Sequence, residues 1–297
     1  MIVVQGTSED TGIARRIAEL LGSELVRVEH KLFPDGESYV RVPVNVDSEE
    51  AGVVQTMDEP RDKRLFEAAL MADALKEAGA RRVYGVVPYL AYMRQDGAFR
   101  PGEPISIRAA LKMRHAAGID AILVVEPHKP EELEHFPGQH AYVSPMRLLA
   151  RHVSRLVDNP LVLSPDLGGI RGAREFASSL GADFDYLEKR RDRVTGEVVM
   201  HPKSLAVRRR DAIIVDDIIS TGGTMALAAR MLRSQGARRI IAVCVHALLV
   251  GGAMDKLLSA GVDRIVAANT LPVPSAVDTV DVSPLIAQEL EKIAGHA

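Results

Sequence analysis

Short apolar runs rich in β-branched residues alternate with longer amphipathic stretches along most of the chain. Eight runs have the length and composition of strands: "IVVQ", "GVVQ", "VYGVV", "AILVVE", "LVLS", "AIIVDD", "IIAVCV" and "RIVAAN". Between them apolar residues recur at helical spacing, and one such segment, which ends at Gly79, carries Leu65, Ala69, Ala72 and Leu75. Strands that alternate with helices in this way predict an α/β fold of mainly parallel sheets flanked by helices.

The pattern repeats within the chain. The stretch "ALKEAGARRVYGVV", which contains Gly79, resembles "MLRSQGARRIIAVCV", which contains Gly236, 157 residues later. Further on, "HAAGIDAILVV" around Gly118 resembles "LSAGVDRIVAA" around Gly261, 143 residues later. Each pair runs from a helix end through a glycine and a charged residue into a strand. We therefore predict two tandem copies of one α/β domain.

The repeat also predicts the limits of the two domains. We place the first at residues 1–143 and the second at 144–297, in which the last ~15 residues, apolar on one helical face, form a packing helix. Because the offset falls from 157 to 143, the first copy carries 14 extra residues. We assign them to the polar stretch 88–106, since long loops in compact domains tend to be functional.

Charge and cysteine content exclude several classes of protein. Forty acidic and 37 basic residues give a formal net charge of -3, which argues against a nucleic-acid or membrane-surface binder. The single cysteine, Cys244, cannot form an intramolecular disulfide, and its place in "IIAVCV" indicates buried strand core. The longest uncharged apolar stretch, 240–254, is shorter than the roughly 20 residues of a membrane-spanning helix. We expect a cytoplasmic protein.

The stretch "VDDIISTGGT" (215–224) joins an apolar strand to two adjacent carboxylates and a hydroxyl-rich loop. Parallel sheets bind ligands at the carboxyl ends of their strands, which is where we expect Asp216 and Asp217 to emerge. Two glycines let the backbone approach a ligand, and the N–H groups at the following helix start suit a phosphate. The carboxylates can accept hydrogen bonds from sugar hydroxyls, so a phosphorylated sugar satisfies both halves. The alternative is an ordinary helix start capped by Ser220 or Thr221.

Only the second copy of the repeat carries this loop. The offset of 157 places the motif onto "EPRDKRLFE" (59–67), which contains no glycine. We therefore expect one such site per chain, and we expect the equivalent part of the first domain to have another use.

The loop resembles the phosphoribosyl-pyrophosphate loop of type I phosphoribosyltransferases. Other stretches match those of the ribose-phosphate pyrophosphokinases in the same order: "FPDGE" (33–37), "PYLAYMRQD" with "EPIS", "EPH" (126–128), "SPDLGG" (164–169) and "EKRR" (188–191). The similarity covers nearly the whole chain. It implies two tandem type I phosphoribosyltransferase-like domains, and it implies transfer of the diphosphoryl group of ATP to O1 of ribose 5-phosphate with release of AMP.

The resemblance also implies roles for individual residues. Lys189 and Arg191 match the catalytic pair, which neutralises charge on the transferred group, and His128 with Asp166 matches the ligands of a Mg²⁺ ion. The first domain would bind ATP through Phe33, Asp35, Glu37, Arg94, Gln95 and His128. The second would bind ribose 5-phosphate through Asp216, Asp217, Ser220, Thr221, Gly222, Gly223 and Thr224. In the family the "FPDGE" hairpin reaches the nucleotide site of a neighbouring subunit, which implies a homo-oligomer, a dimer or larger.

Plainer alternatives exist for these groups when each is taken alone. The residues of "PDG" suffice for a turn, "KRR" is typical of a solvated turn, and a lone histidine after a strand commonly bonds a loop. The chain departs from the family at 97–99, where further basic residues are usual, at 126–127, where Asp-Leu is usual, and at Ser220, where many members have a third acid. Two other functions stay open: a phosphoribosyltransferase that consumes phosphoribosyl pyrophosphate, and a catalytically silent subunit that pairs with active synthetases.

Overall fold

The computed structural model describes residues 1–98, 100–191, 198–200 and 203–295, and it divides into two compact units. The first unit comprises Met1–Ser144, Thr270–Pro272 and the chain from Asp281 onward. The second comprises Pro145–Asn269 and Val273–Val280. The change of unit after residue 144 lies beside the predicted limit, whereas the tail packs with the first unit and not with the second.

A parallel sheet forms the centre of the first unit. The strands of this unit are β1 (Ile2–Gln5), β2 (Leu25–Arg27), β3 (Glu29–Leu32), β4 (Ser38–Arg41), β5 (Glu50–Val54), β6 (Arg82–Val87), β7 (Ala121–Val125) and β8 (Gln139–Val143). Its helices are α1 (Ile13–Leu21), α2 (Arg61–Glu77), α3 (Ser106–Ala116) and, at the end of the chain, α8 (Ser283–Gly295). The sheet has the order β2-β1-β5-β6-β7-β8, and every neighbouring pair is parallel. The strands β3 and β4 form a separate antiparallel hairpin.

The second unit has a sheet of the same design. Its strands are β9 (Leu161–Ser164), β10 (Asp183–Tyr186), β11 (Lys189–Arg191), β12 (Val198–Met200), β13 (Asp211–Ile219), β14 (Arg239–Ala247), β15 (Arg264–Ala268) and β16 (Asp278–Val280). Its helices are α4 (Met146–Val153), α5 (Ile170–Leu180), α6 (Gly223–Ser234) and α7 (Ala253–Ser259). The sheet has the order β10-β9-β13-β14-β15-β16 with all pairs parallel, and β11 pairs separately with β12.

The two sheets confirm the repeat and the predicted fold class. Their strand orders are equivalent position by position. All four glycines that align the repeat have positive φ: Gly79 at 87°, Gly118 at 103°, Gly236 at 85° and Gly261 at 96°. Each follows a helix end, where a left-handed residue reverses the chain into the next strand. The insertion is also confirmed, because residues 88–105 join β6 to α3 in the first unit and only 248–252 join β14 to α7 in the second.

All eight predicted strand runs lie in these sheets, but the sequence pattern missed the outermost strands. Strands β2, β8, β10 and β16 each pair with one neighbour only. An edge strand keeps part of its surface in water, so it needs no continuous apolar run. In β8, for example, Gln139, His140 and Tyr142 are exposed.

Helix α8 corrects the predicted assignment of the tail. Its buried residues include Ile286, Leu290 and Ile293, as the apolar pattern predicted, and it packs against α1, β7 and β8. The Leu290 side chain approaches Gly52 in β5, where a Cβ would lie 3.6 Å from its Cδ2 atom. The periodicity identifies which face of the helix is apolar, but it does not identify the surface which that face covers.

The core of the second unit surrounds β13 and β14. Cys244 lies in it with no exposed surface, and burial raises the pKa of its thiol, so the prediction of an inert core cysteine is confirmed.

Within the described ranges, no helix has the length and apolar character needed to cross a membrane.

Candidate active site

Asp216 and Asp217 lie inside β13, near its carboxyl end. The sequence predicted that the strand ends at this pair, but β13 continues to Ile219. It pairs with β14 that far, whereas its pairing with the shorter β9 stops at Ile214. Beyond that residue the β9 side of β13 faces the loop that follows β9, which contains Asp166. The unequal lengths of the two strands therefore open this edge of the sheet.

The pKa of Asp216 lies well above its ordinary value. Burial of the carboxyl group is the largest cause, and the negative charges of Asp217 and Asp166 add to it. The Asp217 N–H donates to Asp216 Oδ1 at 3.0 Å, which offsets only part of the increase. Three acidic groups therefore share one edge of the second sheet. Hydroxyl donors or a cation placed beside them would relieve this crowding.

Gly169 lets the start of α5 approach this carboxyl group. A Cβ atom at Gly169 would lie 2.9 Å from Asp216 Oδ1 and 3.1 Å from Ser164 Oγ, closer than ordinary contacts. The preceding loop is shaped by Asp166, whose Oδ1 accepts hydrogen bonds from Gly168 N–H at 2.8 Å and Gly169 N–H at 3.3 Å. The absence of a side chain at Gly169 thus fixes how closely the two loops meet.

The loop after β13 leads directly into α6. The N-cap of α6 is Gly222, in the left-handed region at φ 70°, and no side-chain hydrogen bond caps it. The structure therefore does not have the alternative start with Ser220 or Thr221 as the cap. Exposed Thr221 precedes the N-cap, while Gly223 and Thr224 form the first turn. In this described loop the first-turn N–H groups have the arrangement that binds anions at helix starts.

The segment that follows β14 supports this loop from behind. Leu248 N–H donates to Ile219 O at 2.9 Å, and Val250 N–H donates to Ser220 O at 3.1 Å. From α7, Lys256 Nζ donates to Thr221 O at 2.7 Å. In a trans peptide the C=O and N–H groups point in opposite directions, so the hydrogen bond from Lys256 to Thr221 O also sets the direction of the Gly222 N–H.

The hairpin β3–β4 presents the "FPDGE" turn in the first unit. Phe33 N–H donates to Glu37 O at 2.8 Å, and Gly36, at φ 95°, donates to Phe33 O at 2.9 Å. Asp35 Oδ1 accepts from Glu37 N–H at 3.2 Å. Phe33 is 39% exposed, with Tyr39 at an edge-on ring distance of 6.0 Å. The turn alternative therefore explains the backbone, and Lys31 Nζ lies over both rings, 5.0 Å from the centroid of Phe33 and 5.2 Å from that of Tyr39.

The other predicted nucleotide residues lie on the loops after β6 and β7. Arg94 and Gln95 are exposed, and Gln95 Oε1 accepts from Ser106 Oγ at 2.6 Å. The two loops meet in an ion pair between Asp96 and Lys129. Its hydrogen bond and, to a smaller extent, the charge of His128 lower the pKa of Asp96. The structure thus gathers Arg94, Gln95 and His128 at one edge of the first sheet.

The chain turns sharply just before His128. Glu126 is buried and has φ 37°, a left-handed conformation that is rare outside glycine. It stands where the family has aspartate, so this departure from the family pattern coincides with a left-handed backbone conformation.

The predicted catalytic residues can be placed only in part. The backbones of Lys189 and Arg191 form β11, opposite Met200 and Val198 of β12. Their side chains lie outside the described part of the chain, as does Phe99 of the inserted loop.

The predicted metal ligands belong to different units, His128 to the first and Asp166 to the second. Within the ranges that the structure describes, no three His, Cys, Asp or Glu side chains are arranged to hold a metal ion by themselves. Carboxylate oxygens such as those of Asp166 and Asp216 fit Mg²⁺, which keeps several waters and is commonly held by one or two carboxylates together with substrate phosphates.

The register of the two sheets corrects the sequence alignment of the loop with the first unit. Val54 pairs with Val86 in the first sheet, and Val215 pairs with Val243 in the second. Because Val86 and Val243 are equivalent in the repeat, Gln55 and Thr56 stand where the second unit has Asp216 and Asp217. The predicted counterpart, 59–67, lies too far towards the C-terminus. The alignment assumed a constant offset between the two copies, whereas α2 has 17 residues and α6 has 12. At this edge the first unit thus has an amide and a hydroxyl in place of the carboxylate pair.

Sequence reasoning did not assign roles to Gly169 or Lys256. "SPDLGG" matched the family as a stretch, and the unusual pair of glycines was the available signal for Gly169. No local signal identifies Lys256, because its contact with Thr221 depends on the packing of α7 behind the loop.

Comparison with known proteins agrees with this fold. The N-terminal domain of ribose phosphate pyrophosphokinase matches residues 1–118, and a phosphoribosyl transferase domain matches residues 145–274. The second unit, with its carboxylate pair and glycine loop, is therefore of the phosphoribosyltransferase class.

Full-length relatives narrow the class. The chain is 43% identical to ribose-phosphate pyrophosphokinase of Saccharolobus solfataricus over 97% of its length and 100% of that protein. It is 44% identical to the ribose-phosphate pyrophosphokinase of Sulfurisphaera tokodaii over 98% of its length and 100% of that protein. The crystal structure of phosphoribosylpyrophosphate synthetase from Mycobacterium smegmatis matches with a TM-score of 0.88 at 28% identity, covering 100% of this chain and 99% of that one. The chain belongs to the ribose-phosphate pyrophosphokinase family.

Proposed function

We propose that the protein transfers the diphosphoryl group of ATP to O1 of ribose 5-phosphate. In this reaction the O1 oxygen attacks the β-phosphorus, the bond from that phosphorus to the α-phosphate oxygen breaks, and AMP leaves. The products are 5-phosphoribosyl 1-pyrophosphate and AMP. The observation that carries the proposal is the combination, in one unit, of the Asp216–Asp217 pair with a helix start whose N-cap is Gly222. Family membership over the whole chain supports it.

Ribose 5-phosphate would bind at the edge of the second sheet. Asp216 and Asp217 would accept hydrogen bonds from the ribose hydroxyls, and those donors offset the crowding that raises the pKa of Asp216. The phosphate would be held by the N–H groups and hydroxyls of the loop: Ser220, Thr221, Gly222, Gly223 and Thr224.

ATP would bind through the first unit. Phe33 would stack on adenine, while Asp35 and Glu37 would accept hydrogen bonds from the adenine amino group and the ribose. Arg94, Gln95 and His128 would contact the nucleotide from the loops after β6 and β7. The exposed aromatic hairpin supports a homo-oligomer, because two partly exposed rings, Phe33 and Tyr39, are suited to contact with another subunit.

Lys189 and Arg191 would supply the positive charge for the transfer. Phosphoryl transfer makes small covalent demands on a protein, so positioning and charge stabilisation provide most of the rate. A Mg²⁺ ion, when bound, would neutralise phosphate oxygens, and Asp166 and His128 are the residues that would hold it. We also propose that the protein acts in the cytoplasm, as its single buried cysteine suggests.

A product assay tests this function. Purified protein with ATP, ribose 5-phosphate and Mg²⁺ should form AMP and phosphoribosyl pyrophosphate in equal amounts. Lys189→Ala should abolish turnover while ribose 5-phosphate still binds, and Lys112→Ala, at an exposed lysine of α3, is the matched control with unchanged turnover. Release of ADP alone, or consumption of phosphoribosyl pyrophosphate with a free base, would contradict the proposal.

A further inference from the structure

A buried polar network fills the edge of the first sheet that is equivalent to the ligand edge of the second. At its centre is the Glu67 carboxylate on α2, which is 1% exposed. Its Oε2 accepts from Thr7 Oγ1 and from Arg64 Nη1, the latter at 3.1 Å. Arg64 Nε also donates to Asp58 Oδ1 at 2.6 Å, and Gln55 Nε2 donates to Thr7 Oγ1 at 2.9 Å. The space that would admit a ligand is therefore occupied by protein side chains.

The Glu67 carboxylate is ionised in this setting. Burial alone would raise its pKa, but hydrogen bonds from Thr7 and Arg64, with the charges of Lys63 and Arg64, lower the pKa below its ordinary value. A buried ionised carboxylate is a strong acceptor, and a hydroxyl that donates to it is held firmly.

The same carboxylate also reaches the nucleotide hairpin. Ser38 Oγ, at the start of β4, donates to Glu67 Oε1 at 3.2 Å, and β4 packs on α2. Ser38 follows Glu37 directly and pairs with Leu32, which precedes Phe33. The hydrogen bond therefore lies at the base of the turn that carries Phe33.

We propose that Glu67 is a positioning residue for ATP, because through Ser38 it fixes the direction in which the hairpin presents Phe33, Asp35 and Glu37. The edge of the first sheet that is equivalent to the sugar-phosphate edge of the second thus anchors the hairpin that carries Phe33. This inference rests on the proposed role of the hairpin in ATP binding. It gives the first copy of the repeat a use that does not require a second sugar site.

The test is made at Ser38, because Glu67 supports too much of the buried network for a clean substitution. Ser38→Ala removes the link and leaves the other donors to Glu67 in place. We expect the KM for ATP to rise about tenfold, which corresponds to about 1.4 kcal/mol and suits the loss of a hydrogen bond to a charged group. The kcat and the KM for ribose 5-phosphate should change little. Ser38→Thr, which keeps the hydroxyl, should restore the KM for ATP.

Glu29→Gln provides the matched control within the hairpin. It removes the ion pair between Glu29 and Arg41, 2.8 Å apart, at the end of the hairpin far from the turn. This control should leave the KM for ATP unchanged. An unchanged KM for ATP in Ser38→Ala, an equal rise in Glu29→Gln, or no restoration by Ser38→Thr would overturn the inference.

Hydrogen exchange without substrates separates this inference from the proposed function. The amides of Phe33 and Gly36, which donate within the turn, should exchange faster in Ser38→Ala than in the wild-type protein. Faster exchange supports the anchor, and equal exchange overturns it, whether or not the wild-type protein forms AMP. Failure of the wild-type protein to form AMP from ATP and ribose 5-phosphate would instead overturn the proposed function.

Discussion

Gly169→Ala should weaken the binding of ribose 5-phosphate while the fold stays intact. The added Cβ would lie 2.9 Å from Asp216 Oδ1, so either the carboxyl group or the start of α5 must move. The backbone is not the obstacle, because φ at Gly169 is -81°, which any residue adopts. We expect the Asp216 carboxyl group to shift by a few tenths of an ångström, on the order of what an overpacked contact forces.

The magnitude follows from the hydrogen bond that this shift would disturb. A hydrogen bond to a charged group contributes about 1.5–3 kcal/mol. If the displaced carboxylate loses one such bond to a ribose hydroxyl, the affinity for ribose 5-phosphate falls about 10- to 150-fold.

Isothermal titration of ribose 5-phosphate into the full-length protein measures this loss. Gly172→Ala is the matched control, because it adds a methyl group to the same helix where a Cβ would meet the flexible end of Met146, with the Cε atom at 2.9 Å. Gly169→Ala should lose affinity and Gly172→Ala should not, with both melting near the wild-type temperature. Unchanged affinity in Gly169→Ala, or an equal loss in Gly172→Ala, would refute the role given to this close approach.

Three further substitutions have defined expectations. Asp211→Asn should lower the free energy of unfolding at neutral pH by about 2 kcal/mol, because the fully buried Asp211 carboxylate accepts hydrogen bonds from two half-exposed arginines. The control Glu50→Gln, at the equivalent position of the first unit, should lower it by less. These arginines hold the pKa of Asp211 below its ordinary value, so in urea titrations the difference should be complete above about pH 4 and should decline progressively as the pH falls from there towards the lowered pKa. Arg114→Met should raise the Tm, because burial lowers the pKa of Arg114 to about 10 and leaves its Nε and Nη2 atoms without a hydrogen-bond acceptor in the described part of the chain. A lower Tm would contradict this expectation. Lys256→Met should raise the KM for ribose 5-phosphate about tenfold, because it removes the hydrogen bond to Thr221 O, while Lys256→Arg should leave this KM unchanged. Equal KM values in the wild-type protein and both variants would count against a role for this hydrogen bond.

The sequence predicted the centre of each sheet better than its edges. Runs such as "IIAVCV" are buried on both faces and therefore apolar throughout, which makes them visible as strands. Strand β8 and the hairpin β3–β4 carry polar residues, because their outer surfaces face water. Their pairing is decided by neighbours distant in the sequence, which no local pattern contains.

The candidate site shows the same division. The motif around Asp216 was readable because strand, carboxylates and glycines follow one another directly. The contribution of Gly169 depends on how closely two separate loops approach, and that of Lys256 depends on a helix packed behind one of them. The use of Glu67 as an acceptor for Ser38 likewise joins residues that are 29 positions apart. Tertiary approaches of this kind leave no spacing signal in the chain.

The number of ribose 5-phosphate molecules bound per chain tests most directly the claim that the second unit alone provides the sugar-phosphate site. Titration calorimetry of the wild-type protein should give one molecule per chain, because Gln55 and Thr56 replace the carboxylate pair in the first unit. The double variant Asp216→Asn, Asp217→Asn should bind none at the same concentrations. Two molecules per chain in the wild-type protein, or undiminished binding in the double variant, would contradict the claim.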